Sequence, residues 1–310
     1  MRISRNLLAA ALLGSFQFVC VAEAAVPARS VVPTQTFTVG MLRVERFGTT
    51  SGTPIIFIPA LFCGSWQWNG QIAGLAGKHD IYAVTLPGFD GRPRDNGPAL
   101  MDRAAASLAQ LIRERHLVRP ILVGHSLGGT LAVLFGEEFP SAAGGIIAVE
   151  GGYPTAPTAA ARNKAANENA APYVGADPAS FDRVLRNRTL RYTITSKSDV
   201  NTVARLAERS DPNAIALWYR AAFPLDLTPK LGTIRVPLTE IVPFDPTIDP
   251  YVGMASLGAK RQAYQTWLRH AHAGSVIMIE NSRHFVMFDQ PATFDRILFT
   301  RIAQLSTDTL

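Results

Sequence analysis

The apolar positions of this chain gather into short runs separated by longer stretches with helical spacing. Residues 55–58, 81–86, 121–123 and 145–149 are apolar almost throughout. Such runs predict strands covered on both faces, as in a parallel sheet. Residues 37–47 alternate instead, which predicts strands with one wet face. Helices are predicted over 66–76 and 99–116. In the second, Ala104, Leu108, Leu111 and Ile112 recur at helical spacing. Beyond residue 150 the rhythm breaks. Residues 151–228 show no buried strand and carry helical patches at 160–170, 179–190 and 212–222. Strand and helix then alternate again through 234–242, 260–270, 275–280 and 291–305.

This order predicts an α/β fold with a doubly wound, mostly parallel sheet. The core is assigned to residues 36–150 and 229–310, after an extended lead-in at 25–35. The inserted 151–228 reads as a helical cap. It sits above the carboxyl edge of the sheet, where ligands bind in such folds. Its Tyr153, Tyr173, Phe181, Trp218, Tyr219 and Phe223 either line an apolar pocket or pack the cap onto the core.

The chemistry centres on Gly124-His125-Ser126-Leu127-Gly128, between a predicted strand and a predicted helix. A serine between two spaced glycines at such a junction has the form of a nucleophile elbow. A serine nucleophile needs a base, and the base needs an orienting acid. His284 follows the last predicted strand by a short loop, which brings its imidazole to the carboxyl edge. His125 is directed elsewhere and supports the elbow. His270 and His272 are two apart and share no helix face, so no metal site is expected there. Asp245, after the penultimate strand, is the first candidate acid. Glu150, which ends the strand after the elbow helix, is the alternative, followed by Asp249. Asp289 reads as a helix-start residue before Pro291. Oxyanion donors are expected from the backbone N–H of Leu127 and from the loop 59–66, with Leu61 first and Phe62 next.

These pieces together resemble the α/β-hydrolase superfamily, over roughly residues 37–305. The matching elements are the loop 59–66, Leu86-Pro87-Gly88-Phe89, the elbow 124–129, and the His284 loop with Asp289-Gln290-Pro291. Pro59-Ala60 replaces the superfamily's usual His-Gly pair, and Pro243-Phe244 replaces the usual glycine before the aspartate. The resemblance implies a serine hydrolase with no metal or organic cofactor. Ser126 would attack an acyl carbonyl of a small molecule, and a carboxylic ester is the first choice. Amides, including N-terminal proline peptides, thioesters and acyl transfer to an alcohol are alternatives on the same residues. A non-catalytic ligand-binding protein is the reading of a different class. It is favoured if neither Asp245 nor Glu150 reaches His284.

Composition adds location. Of 310 residues, 47% are hydrophobic and 17% charged, with a net charge of +6, an ordinary globular balance. The densest basic group, Arg183, Arg186, Arg188 and Arg191, falls on a predicted helix. It reads as a solvated face, and no nucleic-acid partner is expected. Arg2 and Arg5 precede an apolar run at 7–21, and Ala22-Glu23-Ala24 is a small-x-small site. Residues 1–24 therefore read as a signal peptide, with export to a periplasm or beyond and no stable membrane anchor after cleavage. Of the two cysteines, cleavage removes Cys20 and leaves Cys63 with no internal partner. Oligomeric state is not fixed by the sequence.

Overall fold

The computed structural model describes residues 31–49 and 51–307; the expected signal peptide lies outside the described residues. The alternating segment folds as a hairpin of β1 (Gln35–Val39) and β2 (Leu42–Gly48). Five apolar strands follow: β3 (Ile55–Ile58), β4 (Asp80–Thr85), β5 (Ile121–His125), β6 (Gly145–Val149) and β7 (Leu238–Phe244). All five are buried along their length. The half-covered β8 (Gly274–Glu280) closes one edge. The sheet order is β1-β2-β4-β3-β5-β6-β7-β8. β2 runs antiparallel to β1 and β4, and the pairs from β4 through β8 are parallel. The sequence order reverses between β3 and β5, which opens a crevice at their carboxyl ends.

In chain order the helices are α1 (Asn69–Leu75), α2 (Leu100–Glu114) and α3 (Leu127–Glu138). A 3-10 turn, Ser65–Trp68, precedes α1. Between β6 and β7 lie α4 (Ala159–Ala170), α5 (Pro178–Val184), α6 (Arg191–Thr193), α7 (Lys197–Ala207) and α8 (Pro212–Ala222). The chain ends in α9 (Leu257–Leu268), α10 (Val286–Asp289) and α11 (Pro291–Thr307). The predicted apolar stripe of α2 is buried, including Ala104, Leu108, Leu111 and Ile112.

Two elements depart from the sequence reading. β7 begins at Leu238 rather than at 234. Ile234 ends a 3-10 turn by donating to the Leu231 carbonyl, and Pro237 has no N–H to give to a neighbouring strand. α7 was not expected, although its signals are in the chain. Ser196 caps the Asp199 N–H, and Val203, Ala204 and Ala207 are buried on one face.

The inserted helices dock through α8. The indole N–H of Trp218, 1% exposed, donates to the Pro87 carbonyl at 3.0 Å. Gly88, at φ +84°, lets the chain pass so close that a Cβ there would lie 2.1 Å from the Ala214 Cβ. Burying a side chain as large as Trp218 contributes about 2–3 kcal/mol. The basic group on the insertion is partly paired: Arg186 bonds both Asp182 and Glu208.

Candidate active site

The parallel register brings five loops to one edge of the sheet. Ile58 is level with Gly124, His125 with Val149, and Val149 with Ile241. The loops after β3, β5, β6, β7 and β8 carry Leu61, Ser126, Glu150, Asp245 and His284 respectively. All five residues line one cavity of about 500 Å³.

Ser126 sits between β5 and α3 with φ 54° and ψ −115°, a strained left-side conformation for a residue with a Cβ. The surrounding backbone holds it there. Its N–H donates to the Val149 carbonyl at 2.9 Å, and its carbonyl accepts from the Thr130 N–H at 2.9 Å. The flanking glycines are required by close approach: a Cβ at Gly124 would lie 2.1 Å from the Gly128 oxygen, and one at Gly128 2.2 Å from the Ile58 oxygen. We expect Gly128→Ala to cost about 1–3 kcal/mol by overpacking. Gly77→Ala, where a Cβ meets nothing within 4 Å, should be near neutral. Thermal melts of the two variants check this difference.

His284 Nδ1 lies 2.6 Å from Glu150 Oε2. Glu150 follows β6 at φ 46°, a turn that swings its side chain toward the β8 loop. Its carboxylate is held at about 2. Burial alone would raise it, but the Lys260 ammonium and the His284 hydrogen bond outweigh burial. Because this lies below the ordinary 4.5, the stability Glu150 contributes is present above that pH and is lost as pH falls toward 2.

Asp245, the first-choice acid in the sequence, is not the partner of His284. Its Oδ2 accepts from Arg283 Nε at 2.7 Å, and its Oδ1 from the Thr247 N–H and hydroxyl at 2.8 and 2.6 Å. A guanidinium beside the loop captures the carboxylate in a charge-assisted pair and turns it from the imidazole. Asp249 is also diverted, to Lys260 at 2.6 Å and to the Asp245 N–H at 2.7 Å.

His125 is wholly buried, and burial followed by the nearby His284 pushes it well below the usual imidazole range. Its tautomer follows from its neighbours. Gln67 Oε1 accepts from the Ala60 N–H at 2.9 Å, so the Gln67 amide group donates to His125 Nδ1, also at 2.9 Å. His125 Nε2–H then donates to the His284 carbonyl at 2.9 Å. His125 thus braces the His284 loop and, through Gln67, the loop after β3. Gln67 gave no sequence signal for this role. Asp289 ends α10 and does not start α11. Its carboxylate accepts from the Arg283 and Thr195 N–H groups, both at 2.8 Å, and ties the His284 loop to the inserted helices.

With the Ala60 amide taken by Gln67, Leu61 and Phe62 are the next amides along that loop, and both residues line the cavity. Leu127 is the first residue of α3, where N–H groups have no intrahelical acceptor and the helix dipole favours negative charge. Tyr153, Tyr219 and Phe223 line the cavity, whereas Tyr173, Phe181 and Trp218 are packed away from it. Cys63 is fully buried, and burial pushes its thiol well above the ordinary value. Among the described residues no group of three or more His, Cys, Asp or Glu is placed to hold a metal.

The chain belongs to the alpha/beta hydrolase family, whose family model matches residues 55–297. Its fold is similar to that of a thermophilic esterase from Thermogutta terrifontis, with TM-score 0.68 and 18% identity over 88% of this chain and 99% of that one. It is also similar to the enol-lactonase from Burkholderia xenovorans, with TM-score 0.71 and 13% identity over 87% and 100%. Among curated proteins, 1-acylglycerol-3-phosphate O-acyltransferase ABHD5 of Rattus norvegicus is 30% identical over 113 residues, 35% of this chain and 32% of that protein. An uncharacterized protein of Mycobacterium bovis is 32% identical over 102 residues, 33% of this chain and 30% of that one. The matches thus span about a third of these curated relatives.

Proposed function

We propose that this chain is a serine hydrolase cleaving a carboxylic ester with a small, neutral, apolar acyl group. The observation that carries the reading is the 2.6 Å contact of Glu150 with His284 Nδ1, on the cavity that Ser126 also lines. That contact leaves Nε2 as the atom that takes the Ser126 proton. Ser126 Oγ attacks the acyl carbonyl, and the Leu127 and Leu61 N–H groups receive the oxyanion. His284 passes the proton to the departing alkoxide. Water, activated by the same nitrogen, then releases the acid and restores Ser126. Glu150 takes the orienting role first assigned to Asp245. A carboxylate on His284 also argues against a ligand-binding protein without turnover.

Acyl selectivity follows from the lining. Leu61, Phe62, Tyr219, Phe223, Leu225 and Phe285 make most of the cavity apolar. Its two cations, Arg283 and Lys260, are both committed to carboxylates. A charged acyl chain would lose its water without gaining a partner. With a series of p-nitrophenyl esters, neutral straight-chain acyl groups should be turned over at least about 100-fold better in kcat/KM than an anionic hemisuccinate. Equal turnover of the anionic ester would overturn the selectivity. We further propose that the helices between β6 and β7 act as the cap, since Tyr219 and Phe223 reach the cavity from them. On the pattern of residues 1–24, we place the activity in the periplasm or outside the cell.

A further inference from the structure

Lys260 takes part in none of the proposed catalytic steps, yet it is almost fully buried beside the residues that do, with a side chain 6% exposed. Its Nζ lies 2.5 Å from Glu150 Oε1 and 2.6 Å from Asp249 Oδ1. The two oxygens of Glu150 are thereby divided, one on Lys260 and the other on His284. The far side of the clamp is fixed as well, because Asp249 Oδ2 accepts from the Asp245 N–H. The loop after β7, where the sequence suggested the acid, instead supplies the anchor for a cation that serves the acid after β6.

We propose that Lys260 is a positioning residue for the hydrolytic site: clamped between Asp249 and Glu150, its ammonium holds the Glu150 carboxylate ionised and aimed at His284. This rests on the reading of Ser126, His284 and Glu150 as the reacting group.

A purely structural role accounts poorly for the arrangement. A buried ion pair is often no better for stability than apolar residues of the same volume. Here one ammonium serves two carboxylates, so the cluster keeps a net negative charge. The groups around it supply no second cation to Glu150. From β7, Glu240 is an acid, wholly buried, and burial pushes its carboxyl well up. From α9, the Tyr264 phenol is raised by burial and then by Glu150, and carries no positive charge. Tyr153 stacks on Tyr264, and His125 at the end of β5 is held neutral. Arg283 is occupied by Asp245. Without Lys260, Glu150 and Asp249 would face each other unneutralised, and one of them would take a proton. A protonated Glu150 neither orients the imidazole nor stabilises its positive form.

The test compares pH–rate profiles of Lys260→Met and of Lys260→Met/Asp249→Asn with the unaltered protein, using a neutral p-nitrophenyl ester. Lys260→Met should lower kcat at pH 7 by about 10- to 100-fold with little change in KM, and should move the acid limb up by about one pH unit or more. Removing the competing carboxylate in the double variant should recover at least about tenfold of that loss. An unshifted profile in a folded Lys260→Met protein overturns the inference, as does a double variant no better than the single. If Lys260→Met does not fold, Lys260→Gln, which keeps a hydrogen-bond donor and removes the charge, decides: an acid limb about one pH unit or more higher than in the unaltered protein supports the inference, and an unmoved limb overturns it. Failure of the hydrolase reading is distinguishable, because then the unaltered protein itself would not turn over the ester.

Discussion

Ser126→Ala is expected to lower kcat for ester hydrolysis by about 10,000- to 1,000,000-fold, the scale of losing the nucleophile of a triad. The fold should survive. Ser126 Oγ lines the cavity and holds no element together, while the bonds that fix the turn use its backbone N–H and carbonyl. Alanine keeps both and fits the same space, so the melting temperature should stay within about 2 °C. Stopped turnover with an unchanged melt would assign the loss to chemistry. Hydrolysis near the original rate in this variant would place the reacting group elsewhere.

The second large effect separates two carboxylates that the sequence left open. Glu150→Gln keeps the size of the side chain and removes the charge that His284 and Lys260 share. Its kcat should fall by about 1,000- to 10,000-fold, since an amide neither fixes the tautomer of the imidazole nor stabilises its cation. Asp245→Asn breaks the pair with Arg283 and leaves the Glu150–His284 contact in place. Its loss in kcat should stay below about tenfold, with the cost appearing mainly as a lower melting temperature from the uncompensated Arg283. Steady-state kinetics of the two variants side by side check the ordering. The reverse ordering would return the acid to the loop after β7.

Much of the framework was legible because apolar runs and glycine spacing report directly on backbone demands. The buried strands stood out as unbroken apolar segments. The elbow stood out because Gly124 and Gly128 are needed wherever β3, β5 and α3 crowd together, and a Cβ at either would strike backbone. His284 stands out by its place after the last strand, and the structure brings it to the cavity that Ser126 lines. The carboxylate partner of His284 was harder to read. Glu150 and Asp245 both follow parallel strands at the same edge, and sequence position does not show which one a neighbouring cation captures. Arg283, adjacent to His284 in the chain, decided that by pairing with Asp245. The network behind the site was invisible for a related reason. Gln67 and Lys260 lie in segments predicted as helices, and a polar residue there reads as solvated until tertiary packing buries it. α7 was missed despite its Ser196 cap, because its apolar face is built largely from valine and alanine.

The claim everything else depends on is that Ser126 is an activated nucleophile. Treatment of the purified protein with a fluorophosphonate, followed by intact mass and peptide mapping, measures this directly. The account predicts a single covalent adduct on Ser126, absent from Ser126→Ala and formed with loss of ester turnover. A folded protein that takes no adduct, or takes it at another residue, would contradict it.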